Sequence, residues 1–284
     1  MIKLISTKEE MQRYVKAHQS HSRIVAVVPT MGGLHDGHLS LIKQAAADSE
    51  IVTVTIYLNP TQFAAHEDLE NYPRMIEDDL DKLAKQGLAH AVYVPANMYH
   101  DNHATMVTPK GVASALEGVY RPHFFVGVAT IVLKLFNHVP ANRAYFGEKD
   151  FQQLAVIRQM VNDLDLPIEI NAVPTARDKD GLALSSRNQY LSDVERQIAP
   201  QLYKQMQICA KRLAAGEEAI KILEEAQKQL LQAGFTSIDY FELRHGQTFE
   251  SSYQQEEARL FAALYLGKTR LIDNEAITKL CDAQ

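Results

Sequence analysis

From Ile24 to Pro29 the chain reads IVAVVP, an unbroken apolar, β-branched run closed by proline. Such runs are buried on both faces, which is the pattern of a strand inside a parallel sheet. Ile51–Leu58 (IVTVTIYL) has the same texture, and Ala91–Pro95, Arg143–Phe146 and Pro167–Val173 read as further strands. Between them the apolar period lengthens to helical spacing. It does so in LSLIKQAAADS after the first run, in the charged Leu69–Gln86, in Gly127–His138 and in Phe151–Leu164. Strands alternating with helices need right-handed crossovers. The expected fold is therefore α/β, a Rossmann-like doubly wound parallel sheet covered on both faces.

After about Pro174 the texture changes. A polar stretch, TARDKDGLALSSRNQYLS, leads into helical periods over Asp193–Ala215 and Ala219–Ala233, with Gly234 as a stop. Ser237–Leu243 and Arg259–Tyr265 read as strands before a short tail. The expectation is a first domain over 1–175 and a smaller C-terminal α+β domain over 176–284.

Composition narrows the function classes. Of 284 residues, 46% are hydrophobic and 23% charged, the balance of a globular protein. The formal net charge is −6, whereas a protein that grips nucleic-acid backbone needs a basic face. Cys209 and Cys281 stand outside any CxxC or Cys/His cluster, so they read as reduced thiols rather than a zinc framework. MIKLISTKEEMQRYVKA lacks the apolar core of a signal peptide, and no window has the roughly 18 uncharged apolar residues of a membrane span. These readings lead to the expectation of a cytoplasmic enzyme with small-molecule substrates, no nucleic-acid partner and no membrane contact.

Four segments carry candidate chemistry. The first is Thr30-Met31-Gly32-Gly33-Leu34-His35-Asp36-Gly37-His38, between a strand and a helix. Its glycines permit close backbone approach. A helix N-terminus offers free N–H groups and a positive dipole end to a polyphosphate. His35 and His38, three residues apart, can face one ligand as donors to phosphate oxygens. The lack of a following Gly-Lys-Ser/Thr excludes a Walker A loop. The second, Asn59-Pro60-Thr61-Gln62-Phe63, closes the next strand, and its amides suit a hydroxy acid. The third, Gly147-Glu148-Lys149-Asp150 with Gln152 and Gln153, offers a lysine for phosphate, a carboxylate for ribose or a helix cap, and a glutamine one turn into the helix. The fourth, Leu184-Ser185-Ser186-Arg187-Asn188, sets two hydroxyls beside a guanidinium, a phosphate clamp at the expected domain junction. Among the carboxylates of Glu67–Asp79, Asp78 or Asp79 is the candidate to meet a magnesium ion carried by ATP.

TMGGLHDGH resembles the histidine signature of the nucleotidylyltransferase superfamily, related to the HIGH motif of class I aminoacyl-tRNA synthetases. Taken with YLNPTQF, ENYPR, YFGEKDFQQL and RDKDGLALSSRNQYLS, in order from about Val27 to Ser192, the chain is similar to the pantoate–β-alanine ligase (pantothenate synthetase) family. The resemblance implies that pantoate is adenylated by ATP and then condensed with β-alanine, giving pantothenate, AMP and pyrophosphate. It implies ATP contacts from Met31 to His38, from Gly147 to Asp150, at Ala176 and from Leu184 to Arg187. His38, His35 and Lys149 would be catalytic, and Gln62 and Gln153 would hold pantoate. It also implies a magnesium requirement, a homodimer and a second domain that closes over the site.

One segment departs from the family pattern Arg-Pro-Gly-His-Phe-x-Gly-Val. Here it reads Arg121-Pro122-His123-Phe124-Phe125-Val126-Gly127-Val128, so no catalytic role is given to His123. Alternatives are a nucleotidylyltransferase acting on a phosphorylated small molecule, a nucleotide sensor with a decayed site and a tRNA synthetase fragment. The intact His35, His38, Lys149, Ser185, Ser186 and Arg187 oppose the sensor, and the acidic balance opposes the synthetase fragment.

Overall fold

The computed structural model describes residues 2–64, 67, 69–70, 72–251 and 257–277. Cys281, read above as a reduced thiol, lies outside them. The chain divides into two compact units, one of Met1–Glu148 with Gln152–Pro174, the other of Lys149–Phe151 with Thr175–Gln284.

The first unit contains a six-stranded, wholly parallel sheet, β1 (Lys3–Ile5), β2 (Val25–Thr30), β3 (Ile51–Ile56), β4 (Ala91–Tyr93), β5 (Arg143–Gly147) and β6 (Glu169–Val173). Its order is β1-β4-β3-β2-β5-β6. The helices are α1 (Lys8–Gln19), α2 (Asp36–Asp48), α3 (Ile76–Gln86), the single turn α4 (Glu117–Tyr120), α5 (Phe124–His138) and α6 (Phe151–Asp163). Alternate strand residues enter two cores. Val25, Val27, Ile51, Tyr93 and Phe146 pack with Met11 and Val15 of α1 and with the apolar side chains of α5 and α6. Ala26, Val28, Val52, Val54 and Tyr145 pack with Leu41, Ile42 and Ala45 of α2 and Leu83 of α3. Burial on both faces is why these strands read as continuous apolar runs. The sheet is doubly wound, as expected.

Strand order reverses at β2, which pairs with β3 over six residues but with β5 only at Ala26 and Val27. Past Val27, β2 and β5 part. Pro29, which has no N–H to give, sits in the parted stretch. This parting at the carboxyl ends is the crevice where open α/β sheets bind ligands.

Several elements differ from the sequence reading. The helix expected over Leu69–Gln86 starts only at Ile76, because Pro73 lacks the N–H a helix interior needs and constrains Tyr72 before it. Pro200 splits the expected Asp193–Ala215 helix into α7 (Asp193–Ile198) and α8 (Gln201–Ala214). β1 and α1 add an N-terminal strand and helix. The signal for α1 was present: Thr7 caps it by accepting from the Glu10 N–H at 3.4 Å, and Met11 and Val15 repeat at helical spacing.

In the second unit, α8 and α9 (Ala219–Ala233) pack on a three-stranded antiparallel sheet of β7 (Ser237–His245), β8 (Ala258–Leu266) and β9 (Thr269–Ala276). β9 is the segment read as a tail. Leu260, Ala262, Leu264 and Leu266 alternate along β8 toward the helices, where Leu202, Met206, Cys209 and Leu213 form a stripe on α8. Burial pushes the Cys209 thiol up to about 11, so it remains an unreactive packing group.

α5 approaches the turn after β3 so closely that a Cβ on Gly127 would lie 2.4 Å from the Thr61 carbonyl oxygen. Gly127→Ala must push α5 away from this turn, an overpacking cost of about 1–3 kcal/mol. Denaturant unfolding of the variant checks this, and an unchanged midpoint would contradict the close approach.

Candidate active site

The glycine turn leaves the carboxyl end of β2 with two residues in the left-handed region, Gly32 at φ 87° and Gly33 at φ 62°. Such a turn points successive N–H groups one way and needs an acceptor to hold it. Asp79 of α3 provides one. Its Oδ2 accepts from the Gly33 N–H at 2.9 Å and its Oδ1 from the Leu34 N–H at 2.7 Å. One turn on, Lys82 Nζ donates to the Leu34 carbonyl at 2.7 Å, and Gln86 Nε2 donates to the Leu39 carbonyl at 2.7 Å. Asp79, Lys82 and Gln86 share one face of α3 with the buried Leu83. A Cβ at Gly32 would come 3.2 Å from Asp79 Oδ2, so glycine is needed there for space as well as for φ.

This geometry corrects one expectation. Asp79 is 1% exposed and both its oxygens are committed to the turn, so it is not a free magnesium ligand. Burial raises its carboxyl above the ordinary value, and the two N–H groups pull it partly back. Asp78 is exposed on the same helix. Among the described residues no group of three His, Cys, Asp or Glu side chains is placed to hold a metal ion.

The two histidines build the start of α2. His35 is the N-cap, with Nδ1 accepting from the Gly37 N–H at 3.1 Å. His38 Nδ1 accepts from the His35 N–H at 3.3 Å, completing a reciprocal capping box made of imidazoles. The rings lie 4.1 Å apart between centroids. A ring that accepts at Nδ1 carries its proton on Nε2, so each has an Nε2–H donor on the side away from the turn it caps. The N-terminal N–H groups of α2 and its dipole add to the same positive end.

Gln62 stands beside this turn, its Nε2 donating to Met31 Sδ at 2.9 Å. Its Oε1 accepts from Asn59 Nδ2 at 3.0 Å. Asn59 is 1% exposed; its Nδ2 also donates to the Gly127 carbonyl, and its Oδ1 accepts from Thr61 Oγ1 and Tyr99 OH. Asn59 was read above as suited to a hydroxy acid. Burial and these partners commit it instead to orienting Gln62. Arg121 donates to the Gln62 carbonyl at 3.1 Å, pairs with both oxygens of Glu67 and with Glu117, and stacks 3.9 Å from the Phe124 ring centroid. Phe124, where the family pattern has histidine, is therefore a packing platform for this guanidinium.

The glutamines after β5 divide the work. Gln152 is buried, its Oε1 accepting from the Glu117 N–H and its Nε2 donating to the Val112 and Ala115 carbonyls. Gln153 is half-buried in the first turn of α6. Gly147 ends β5, and Glu148 begins the 3-10 turn that follows it.

The remaining candidates belong to the second unit. Lys149 Nζ lies 3.9 Å from Asp150, which is 43% exposed. Phe151 packs with Phe249 and Phe261 under the Arg259 guanidinium, 3.8 Å from its ring centroid. Arg177 and Ala183 bridge as a hairpin, with the Ala176 carbonyl accepting from the Leu184 N–H at 2.9 Å. Arg177 donates to both oxygens of Asp273 at 2.6 and 2.8 Å and stacks 3.6 Å from Tyr203. Directly after the hairpin, Ser185 caps the 3-10 turn Ser186–Tyr190 by accepting from the Arg187 N–H.

A parallel sheet whose switch point carries a glycine turn, a helix N-terminus and paired imidazoles defines a nucleotide-handling α/β enzyme. The sequence pattern described as Pantoate-beta-alanine ligase matches residues 3–276, and the chain belongs to that family. It is 46% identical over 286 residues to a pantothenate synthetase of Hyphomonas neptunium, covering 98% of this chain and 97% of that one. A pantothenate synthetase structure from Thermus thermophilus superposes with a TM-score of 0.89 at 37% identity, covering 97% and 99% of the two chains. A pantoate-beta-alanine ligase from Francisella tularensis, solved with Beta-gamma ATP and β-alanine, gives 0.83 at 32% identity over 97% and 98%.

Asp79→Asn keeps the shape but turns an amide N–H toward a backbone N–H, an expected loss of about 1–3 kcal/mol. The folded pKa of Asp79 lies above its unfolded value, so its contribution is fullest below the unfolded pKa and falls as pH rises through the folded one. The stability gap between the native chain and the variant should be widest below pH ~4 and narrow toward neutrality. Denaturant titrations across this range check it, and a gap that widens with pH would contradict the burial argument.

Proposed function

We propose that this chain joins pantoate to β-alanine with consumption of ATP, through a pantoyl adenylate. The observation that carries the reading is the imidazole capping box, which sets His35 and His38 together at a helix start on the switch point of the sheet. A pantoate carboxylate oxygen bonds to the α-phosphorus of ATP, the α–β anhydride breaks and pyrophosphate leaves. The β-alanine amine then attacks the acyl carbon, AMP leaves and the amine proton passes to solvent. Adenylation needs alignment and stabilisation of the leaving charge rather than a protein nucleophile.

In this reading Met31–His38 cradle the phosphates, and His38 and His35 donate to the oxygens that gain charge. Gly147–Asp150 contact the nucleotide, with Lys149 on phosphate. Ala176 and Leu184–Arg187 contribute further nucleotide contacts. Gln62, turned by Asn59, and Gln153 hold pantoate. Magnesium enters with ATP as part of the substrate, held by the nucleotide's own phosphates. A homodimer in the cytoplasm completes the reading; no described helix is long and apolar enough to cross a membrane.

The test is AMP release from pantoate, ATP and magnesium with and without β-alanine. Sustained AMP and amide formation only with the amine is the expected result. Activity with a different acid and none with pantoate would overturn the substrate. His38→Ala is expected to slow adenylation at least ~10²-fold. An unchanged single-turnover rate would remove His38 from the chemistry.

A further inference from the structure

Lys149 sits at the tip of a short excursion, since Lys149–Phe151 belong to the second unit while the residues on either side belong to the first. A lysine that meets a phosphate through a flexible stem is useful only if its backbone is fixed. The grip on that backbone comes from β9. Asn274 is 4% exposed, and its Nδ2 donates to the Lys149 carbonyl at 3.0 Å. Its Oδ1 accepts from Arg259, which has donors only, so the amide is held with its N–H₂ toward Lys149. Arg259 is fixed in turn by stacking on Phe151, two residues beyond Lys149. Asp273, the preceding residue and also 4% exposed, accepts the Asn274 N–H at 2.8 Å on the oxygen that also accepts from Arg177. Through Arg177, the same step of β9 holds the hairpin that precedes Ser185–Arg187.

We infer that Asn274 is a positioning residue for Lys149 in the nucleotide step, with its amide setting where the lysine begins. The inference rests on the reading of Lys149 as a phosphate ligand. Two adjacent buried polar residues on an antiparallel strand, each committing its side chain to a segment far away in sequence, are costly for a fold that could place apolar residues there. Asn274 acts here on the backbone of Lys149, not on the substrate. Its hold on the Lys149 carbonyl should alter the handling of ATP while leaving pantoate and β-alanine unaffected.

The test is a double-mutant cycle on Asn274→Asp, Lys149→Ala and the pair. Asn274→Asp keeps an acceptor for Arg259, removes the donor to the Lys149 carbonyl and adds a negative charge beside it. The expected result is about a tenfold loss in kcat/KM for ATP, with KM for pantoate and β-alanine within about twofold of wild type. Adding Asn274→Asp to Lys149→Ala should cause no further loss. Asn274→Ala is read alongside, and native far-UV circular dichroism is required of each variant. A loss from Lys149→Ala but none from Asn274→Asp overturns the inference and leaves the lysine reading standing. Additive losses, or equal losses for all three substrates, also overturn it. No loss from Lys149→Ala removes the lysine reading and this inference with it. If neither Asn274 variant folds, the residue is structural and the inference fails.

Discussion

A single buried carboxylate holds the site in shape. Asp79 commits both oxygens to consecutive N–H groups of a turn that leaves β2 through two left-handed glycines. Without it, those N–H groups would lose their acceptors and the turn would lose its reason to adopt positive φ. With it, Leu34 is fully buried and His35 is delivered as the N-cap of α2. The two imidazoles then lock each other through the capping box. Burying a charge is costly, and the pair of N–H donors, with Lys82 nearby, makes it tolerable.

The same logic recurs away from the turn. Asn59 has almost no exposed surface, yet it fixes which way the Gln62 amide faces. Gln152 ties α6 to the segment before α4, leaving its neighbour Gln153 for other work. In the second unit, Asp273 grips the hairpin before Ser185 through Arg177. In each case a buried polar side chain with well-placed partners fixes a segment next to a candidate site residue, and that is how a site is preorganised.

Much of this was legible in the sequence because the physics is local. Continuous apolar runs declared a sheet buried on both faces, and glycines followed by spaced histidines at a strand–helix junction marked out the turn that carries the candidate site. What escaped depends on contacts between distant residues. Nothing near Asp79 in sequence reveals that its partners are Gly33 and Leu34, so a carboxylate at the start of a charged helix suggested a metal. Asn59 and Gln62 looked alike as amides, and only their hydrogen-bond partners, which a sequence does not show, separate the one that positions from the one it positions. β9 was passed over because Thr269–Ala276 mixes Asp273, Asn274 and Glu275 into a strand, and Asp273 and Asn274 are there to hold other segments. Pro73 and Pro200, by contrast, were plain local signals that should have shortened two helices.

The central claim is that the Asp79 carboxylate frames the glycine turn proposed to activate ATP. Pantoate-dependent exchange of labelled pyrophosphate into ATP, run without β-alanine on the native chain and on Asp79→Asn, tests it most directly. The account predicts exchange in the native chain and a fall of at least ~10-fold in a variant that keeps its native circular dichroism. Exchange at the native rate in the folded variant would contradict it.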